Sequence, residues 1–497
     1  MSPAQSRTVI VLALILLAAA LVPPLSVADL PLVDYPDHLA RMHVLADLDR
    51  DPVLARYYTI VWSLLPNLAM DLAVPPLMTL VDVYTAGRIF VVVTLIATVG
   101  GVFAVNKALT GRHNPFQLLV FPLLYNYAFL QGLTNYLAGI AVALWGIAWW
   151  IRLREGSPWR RALVSALFAV TVFFCHMSAA GLYGLALLSI EIARLIRDRR
   201  LAVGDAAAFG GPFLLWLPPM AISPTGGLLG DTVSDMGDKL EGLQWLFTGY
   251  NDSWDAIFAG SVGLAVVIAI LGRAVRASLE GWVLLALGSA VFIAMPNVLF
   301  GSWGADVRLP VGLAFLLIPF FRLEARRPQL FAGAIAALAL ARFAGMEASW
   351  LDLAAEIKDF RHAMERIEPG GRILVAEADK WTGTFTTNKP LSHMACLAMI
   401  HRSAFVADAF TQPGKQILAV LPPYLPQSNV QDDDQPNMTE MVKALEHPDG
   451  SSGLYWAEWW KRFDYIVVLY TAGPLDPPPP HLAPLYDGRR FQLYKVI

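Results

Sequence analysis

Four residues in the stretch PLVDYPDHLARMHVL (31–45) have the types and spacing for work on protons and phosphates. Asp34, Asp37, His38 and Arg41 fall at i, i+3, i+4 and i+7, on or near one face of a helix. Carboxylates and imidazoles move protons or hold a divalent ion, and guanidinium groups bind phosphate. Pro36 is welcome in a first helical turn and not deeper, so a helix over 35–48 is expected. Leu39, Met42, Leu45 and Ala46 form an apolar stripe elsewhere on it. The expectation is an amphipathic helix at a membrane surface. Asp34 also suits an N-cap with Asp37 at N3, both favoured by the helix dipole, and Arg41 suits a pair with Asp37 one turn back. A cap and a chemical role are compatible, since a cap position holds a carboxylate rigid.

The elements that must position these residues are those of a polytopic α-helical membrane protein. Of 497 residues, 56% are hydrophobic and 15% charged, with mean hydropathy +0.52, where a soluble chain carries about a quarter charged residues. Apolar runs give eleven expected spans: 8–28, 86–108, 115–130, 133–151, 161–177, 179–196, 205–222, 256–272, 280–298, 309–321 and 328–346. The first is read as a retained span rather than a signal peptide. Arg7, Lys107, Arg112, Arg152, Arg154, Arg160, Arg161, the arginines of 194–200, Arg273, Arg276, Arg322, Arg326 and Arg327 all fall in alternate connections. The positive-inside rule makes those connections cytoplasmic, with 31–85, 223–255, 299–308 and everything after about 347 outside. The cytoplasmic connections are short and carry no P-loop or dinucleotide motif, which excludes an ATP-driven pump on this chain alone. No nucleic-acid signature occurs. Cys175 and Cys396, one in a span and one in a polar region, do not make a disulfide framework.

Two domains are expected, a membrane domain over 1–346 that includes the outer loop 31–85, and an extracytoplasmic α/β domain over 347–497. GRILVAEA, SAFVADAF, FDYIVVLY and FQLYKVI read as strands and LSHMACLAMIHR as a helix. QSNVQDDDQPN and GPLDPPPPHLAP read as loops. His393, His401 and Cys396 lack metal-ligand spacing and read as scattered core or surface residues. Asn126, Tyr127, Gln131, Asn135 and Tyr136 suit a sugar pocket or packing between helices equally. His176 is an intramembrane ionisable residue, with an interhelical hydrogen bond as its plain reading, and Glu191 fits a surface role.

A first span followed by an acidic motif in a long outer loop resembles the GT-C glycosyltransferases, multi-spanning enzymes that use sugars linked to polyprenyl phosphates. FPLLYNYAFLQGLTNYLAG (121–139) resembles paired short helices of bacterial members, and GSWGADVRLP (301–310) a late outer loop carrying an arginine. DYPDH departs from the adjacent acidic pair of the protein O-mannosyltransferases, which leaves acceptor class and metal use open. The resemblance implies an inverting glycosyltransferase of a bacterial inner membrane, with a polyprenyl-phosphate-linked sugar as donor and a glycan, lipid or protein as acceptor. It implies Asp34 and Asp37 as catalytic residues, Asp34 as the base, with Asp37 and His38 orienting it and the sugar and with His38 and Arg41 among the substrate-binding residues. Asp37 and His38 are also the candidate ligands for Mg²⁺ or Mn²⁺. Arg308 is implied at the donor phosphate, with pairing to Asp306 as the plain alternative, and Lys239 is second. Asn135, Tyr136, Tyr250 and His176 are further candidates for substrate contact. Two other classes fit the same layout: a transporter or flippase of a lipid-linked glycan, and a non-catalytic envelope assembly protein. The first needs ionisable groups deep in several spans or an inverted repeat, neither of which is visible.

Overall fold

A computed structural model of the chain describes residues 3–200, 203–225, 237–300, 302–431, 433–475 and 477–497. The expected outer loop 223–255 lies partly outside the described residues. Among those described, seven helices are long and apolar enough to cross a membrane: Gln5–Ser26, Val83–Thr110, Thr134–Arg152, Pro158–Cys175, Met177–Asp198, Asp252–Leu271 and Pro328–Arg366. Leu279–Ala294 and Leu309–Phe320 are shorter apolar helices. Two of the eleven expected runs belong to neither set. The run 205–222 is broken into Val203–Phe213, Leu214–Trp216 and Leu217–Ile222, because Pro212, Pro218 and Pro219 lack the N–H that a continuous helix needs. The run 115–130 is a 3₁₀-helix, Pro115–Val120, followed by turns and the short helix Tyr127–Leu130.

That 3₁₀ segment still travels a long way. The His113 N–H donates to Ser6 Oγ, and Tyr125 Oη donates to the Ala20 carbonyl. Ser6 to Ala20 is about 21 Å of α-helix, and Pro115 to Tyr125 covers about 20 Å at the longer 3₁₀ rise. Bonds of 3₁₀ spacing continue past the assigned helix, from Phe121 N–H to Leu118, Leu123 N–H to Val120 and Leu124 N–H to Phe121. The third run thus keeps pace with the first helix while using fewer residues.

The chain divides into two compact units. The first comprises Met1–Leu25, Leu64–Ala69 and Ile89–Glu347. Its basic connections are gathered at one end. Arg154 pairs with Glu191, Arg161 and Arg194 with Asp205, and Arg197 with Glu280. Strand Val275–Ala277 pairs antiparallel with Phe321–Leu323, and Asn114 exchanges two hydrogen bonds with Leu323. Glu191 is therefore not the surface acid that the sequence suggests: its side chain is mostly buried and also accepts from Trp150 Nε1.

The second unit comprises Ser26–Ser63, Met70–Arg88 and Ala348–Ile497. Its sheet runs in the order Phe405–Val406, Arg372–Glu377, Tyr465–Leu469, Phe491–Val496, Leu482–Asp487. The first three strands are parallel and the last two pairings antiparallel. All four expected strands are present. Leu482–Asp487, read from sequence as part of a proline-rich loop, is the strand that was missed. Pro484 is tolerated because this is an edge strand with a bulge between Pro484 and Tyr486. The helix expected over 391–402 is shorter, a 3₁₀ turn Met394–Cys396 running into Leu397–Arg402. Tyr58–Ile60 of the loop pairs antiparallel with Leu418–Val420, so residues 26–63 and 70–88 fold with the terminal domain.

Helix packing in the first unit depends on close approach at glycine. A Cβ at Gly312 would stand 2.3 Å from Tyr136 Oη, 2.5 Å from Leu182 Cδ1 and 2.9 Å from Ile140 Cδ1, a crowding typical of small residues at membrane-helix interfaces. Gly312→Ala should therefore destabilise the unit by about 1–3 kcal/mol, the usual range for overpacking. The thermal midpoint of purified protein in detergent checks this; an unchanged midpoint would show that the three helices can separate at no cost.

Candidate functional site

The helix expected over 35–48 forms as Tyr35–Asp47, but it does not lie as an amphipathic helix on a surface. Tyr35 through Met42 and Val44 are buried, because the polar face has found protein partners. Arg41 is fully buried. Its Nε and Nη2 donate to the two oxygens of Asp71 at 2.8 and 3.2 Å, and Nη1 to Gln416 Oε1 at 2.7 Å. Its partner is thus Asp71, on helix Ala69–Leu77, and not Asp37. Asp37 is also fully buried, and both its oxygens accept from the Phe410 N–H at 3.1 and 3.3 Å. Burial and the nearby Asp37 carboxylate push the Cys396 thiol well above its ordinary pKa, so this buried cysteine stays protonated.

Asp34 occupies the N-cap position yet makes no side-chain cap hydrogen bond. Its side chain keeps 22% of its surface exposed, unlike Asp37 and Arg41. The His393 Nε2, from the turn before Met394–Cys396, lies 3.9 Å from Asp34 Oδ1. The His393 ring meets Phe410 edge-on at 4.9 Å, and Phe410 in turn meets the buried ring of His38 at 6.0 Å. Burial, reinforced by Lys389, lowers the His393 pKa to about 4, so this imidazole is neutral near pH 7. Asp37 and His38 do not form a divalent-ion site with a third partner: Asp37 faces an amide donor, and no group of three or more His, Cys, Asp or Glu is gathered for a metal among the described residues.

The other candidates lie in the first unit. Tyr136 Oη donates to the Arg308 carbonyl at 2.8 Å, and its ring packs edge-on against His176 at 5.3 Å. His176 sits in extended backbone between two helices and caps Met177–Asp198, its Nδ1 accepting from the Ser178 N–H. Arg308 stands at the N-cap of Leu309–Leu317, half-buried, with Nη2 donating to the Trp303 carbonyl. It is not paired with Asp306 through any ion pair; the partner of Asp306 is Lys239, at 2.8 Å. Asp306 is fully buried and also accepts from the Val307 N–H and Asn297 Nδ2. Lys239 is accordingly a buried structural cation rather than a solvated one. Asn135 Nδ2 donates to the carbonyl and side-chain oxygens of Asn67, fastening segment 64–69. Tyr250 is buried near the turn at Gly249, whose N–H donates to Asp255.

The fold is similar to that of ArnT. One match is to ArnT from Cupriavidus metallidurans, in a crystal structure bound to undecaprenyl phosphate. It covers 100% of this chain and 99% of that one, with a TM-score of 0.53 and 10% sequence identity. The GT-C resemblance read from the sequence is thereby borne out at the level of the fold. No family model matches the chain, and no curated protein sequence does.

Several residues that organise these clusters have weak sequence signals. Asp71 is a lone acid in the apolar stretch NLAMDLAVPPL, and Arg342 a lone base within the last expected span; each was visible as a charge out of place. Arg342 is fully buried, pairs with Asp255, and donates to the Tyr125 and Thr248 carbonyls. Phe410, Gln416 and His393 carry no such mark, because their roles arise from contacts with residues more than three hundred positions away.

Removing Asp71 alone leaves the Arg41 charge buried and uncompensated. Asp71→Leu should cost about 3–5 kcal/mol, whereas Arg41→Met with Asp71→Leu should recover most of that loss. Thermal denaturation of the two variants decides it: equal damage from the single and the double change would mean that the guanidinium, and not the pairing, holds the loop.

Proposed function

We propose that this protein is a membrane glycosyltransferase that moves a sugar from a polyprenyl-phosphate donor to an acceptor hydroxyl by single inverting displacement, with Asp34 as the general base. The observation that carries the reading is the division of labour in the loop helix. Arg41 and Asp37 are buried in structural contacts, while Asp34, one residue before the helix, makes no cap bond and keeps part of its carboxylate exposed. The chain-long likeness to the fold of ArnT, a structure holding undecaprenyl phosphate, supports the donor class.

In the proposed step the acceptor oxygen forms a bond to the anomeric carbon as its proton passes to Asp34. The bond from that carbon to the phosphate oxygen breaks, and the electron pair leaves with the polyprenyl phosphate. Charge gathers on that phosphate and needs a cation or aimed donors. By residue type Arg308 is the candidate to bind a donor phosphate at the helical unit, since a guanidinium can grip phosphate in a bidentate way and Lys239 is already paired with Asp306. Tyr136, through the Arg308 carbonyl, and His176, through Tyr136, would act by holding Arg308 in place. No step is routed through Mg²⁺ or Mn²⁺, because Asp37 and His38 are turned to protein partners.

The orientation belongs to this proposal too. The connections that carry the arginines are the cytoplasmic ones, and by the alternation of the expected spans the terminal domain is then outside a bacterial-type inner membrane. A reporter active only outside, fused after residue 497, should be active; a silent but expressed fusion would reverse the assignment.

Asp34→Asn tests the base. Asp34 makes no cap bond, and Asn caps about as well as Asp, so the thermal midpoint should stay put. Turnover of a polyprenyl-phosphate sugar by purified protein in lipid should fall by about 10²–10⁴-fold, and chelator should leave the native rate unchanged. A folded Asp34→Asn protein with native turnover would remove Asp34 from the mechanism, and efficient transfer from a nucleotide sugar without lipid carrier would overturn the donor class.

A further inference from the structure

We infer that His393, from the terminal domain, is the positioning residue for Asp34, donating from Nε2 to Oδ1 so that the other carboxylate oxygen is presented to the acceptor; this rests on the reading of Asp34 as base. A carboxylate at an N-cap is ordinarily oriented by the amides of the first turn. Asp34 makes no such cap bond, and the imidazole of His393 is a group that approaches its carboxylate. The His393 Nε2 stands 3.9 Å from Oδ1, one small closure short of a hydrogen bond, and contacts of this kind tighten when substrate binds.

The ring that makes this approach is itself fixed. It packs edge-on against Phe410 at 4.9 Å, and Phe410 is held at its amide by both oxygens of the buried Asp37 and at its ring by His38. Asp37, Phe410, His38 and His393 thus form one support, built from a loop helix and a domain more than three hundred residues further along. It gives Asp37 and His38 a purpose that needs neither metal nor substrate contact.

The proton has one sensible place on this ring. The His393 Nδ1 is buried and has no hydrogen-bond partner among the described residues. An orphaned buried N–H is rarer than an under-used acceptor, so the neutral ring keeps its hydrogen on Nε2, facing Asp34. The tautomer is set by where the bond can be made.

The experiment compares His393→Gln, which keeps an N–H near the Nε2 position, with His393→Phe, which keeps the ring against Phe410 and removes the donor. Both are assayed with the polyprenyl-phosphate sugar, alone and combined with Asp34→Asn, and both are checked for thermal midpoint. His393→Phe should lower kcat by about 10–100-fold, the worth of a hydrogen bond to a charged group, with donor KM unchanged. His393→Gln should retain most of the native rate. Adding His393→Phe to Asp34→Asn should cost nothing further, because a residue acting through Asp34 has nothing left to act on. Native kcat in His393→Phe would overturn the inference, as would a full additional loss in the double variant. If instead Asp34→Asn alone is fully active, it is the base reading that fails.

Discussion

A guanidinium in a fully buried place needs acceptors, and each of the three Arg41 nitrogens finds one in two other parts of the chain. Asp71 takes the fork and Gln416 the remaining arm. Such a group tolerates little rotation, because each lost partner leaves a desolvated charge. The roll of helix Tyr35–Asp47 about its own axis is therefore set, and the carboxylates one and two turns earlier are set with it. Asp37 is carried to the Phe410 amide, and Asp34 to the helix entrance beside His393. The candidate chemistry stands on an ion pair that does no chemistry.

Asp34, Asp37, Asp71 and Arg41 show how burial separates residues of similar type. Asp37, Asp71 and Arg41 are 0–3% exposed and each has a protein donor or acceptor matched to its charge. Asp34 differs by position alone, standing outside the helix it begins. In the helical unit a similar separation occurs between two cations near one acid: Lys239 is buried and paired with Asp306, and half-buried Arg308 donates to the Trp303 carbonyl. In both clusters the group proposed for function keeps more exposed surface than the paired charges beside it.

Much of the architecture was legible in the sequence, for physical reasons that also mark its limits. Long apolar runs can only be satisfied as spans, and β-rich runs of the terminal domain were strands wherever both faces are buried. The loop helix was bounded to within a residue by Pro36. Its surroundings were not legible: hydrophobic periodicity reports that a face is polar, not whether water or protein meets it. The amphipathic reading failed there because Asp71, Gln416 and the Phe410 amide replace solvent. Conformation within a span was hidden for a similar reason, since Pro115–Val120 is as apolar as an α-helix and differs only in its bonding. Candidate residues were identified by type, and their division into supporting and reactive groups came from contacts across great chain separation.

That separation has a consequence in time. Arg41 and Asp71 lie thirty residues apart and leave the ribosome almost together, but the amide that meets Asp37 follows 373 residues later. At bacterial-type synthesis rates of about 5–20 residues per second, that interval is roughly 20–75 seconds. Through it the first loop has its ion pair and not its second carboxylate contact, while one hydrophobic segment after another enters the membrane. The arrangement proposed around Asp34 closes only when the last third of the chain arrives, so a polypeptide cut short in its membrane region holds the Arg41–Asp71 pair without the Phe410 and His393 contacts. On the proposed reading, the base gains its support only after the residues of the helical unit have been made.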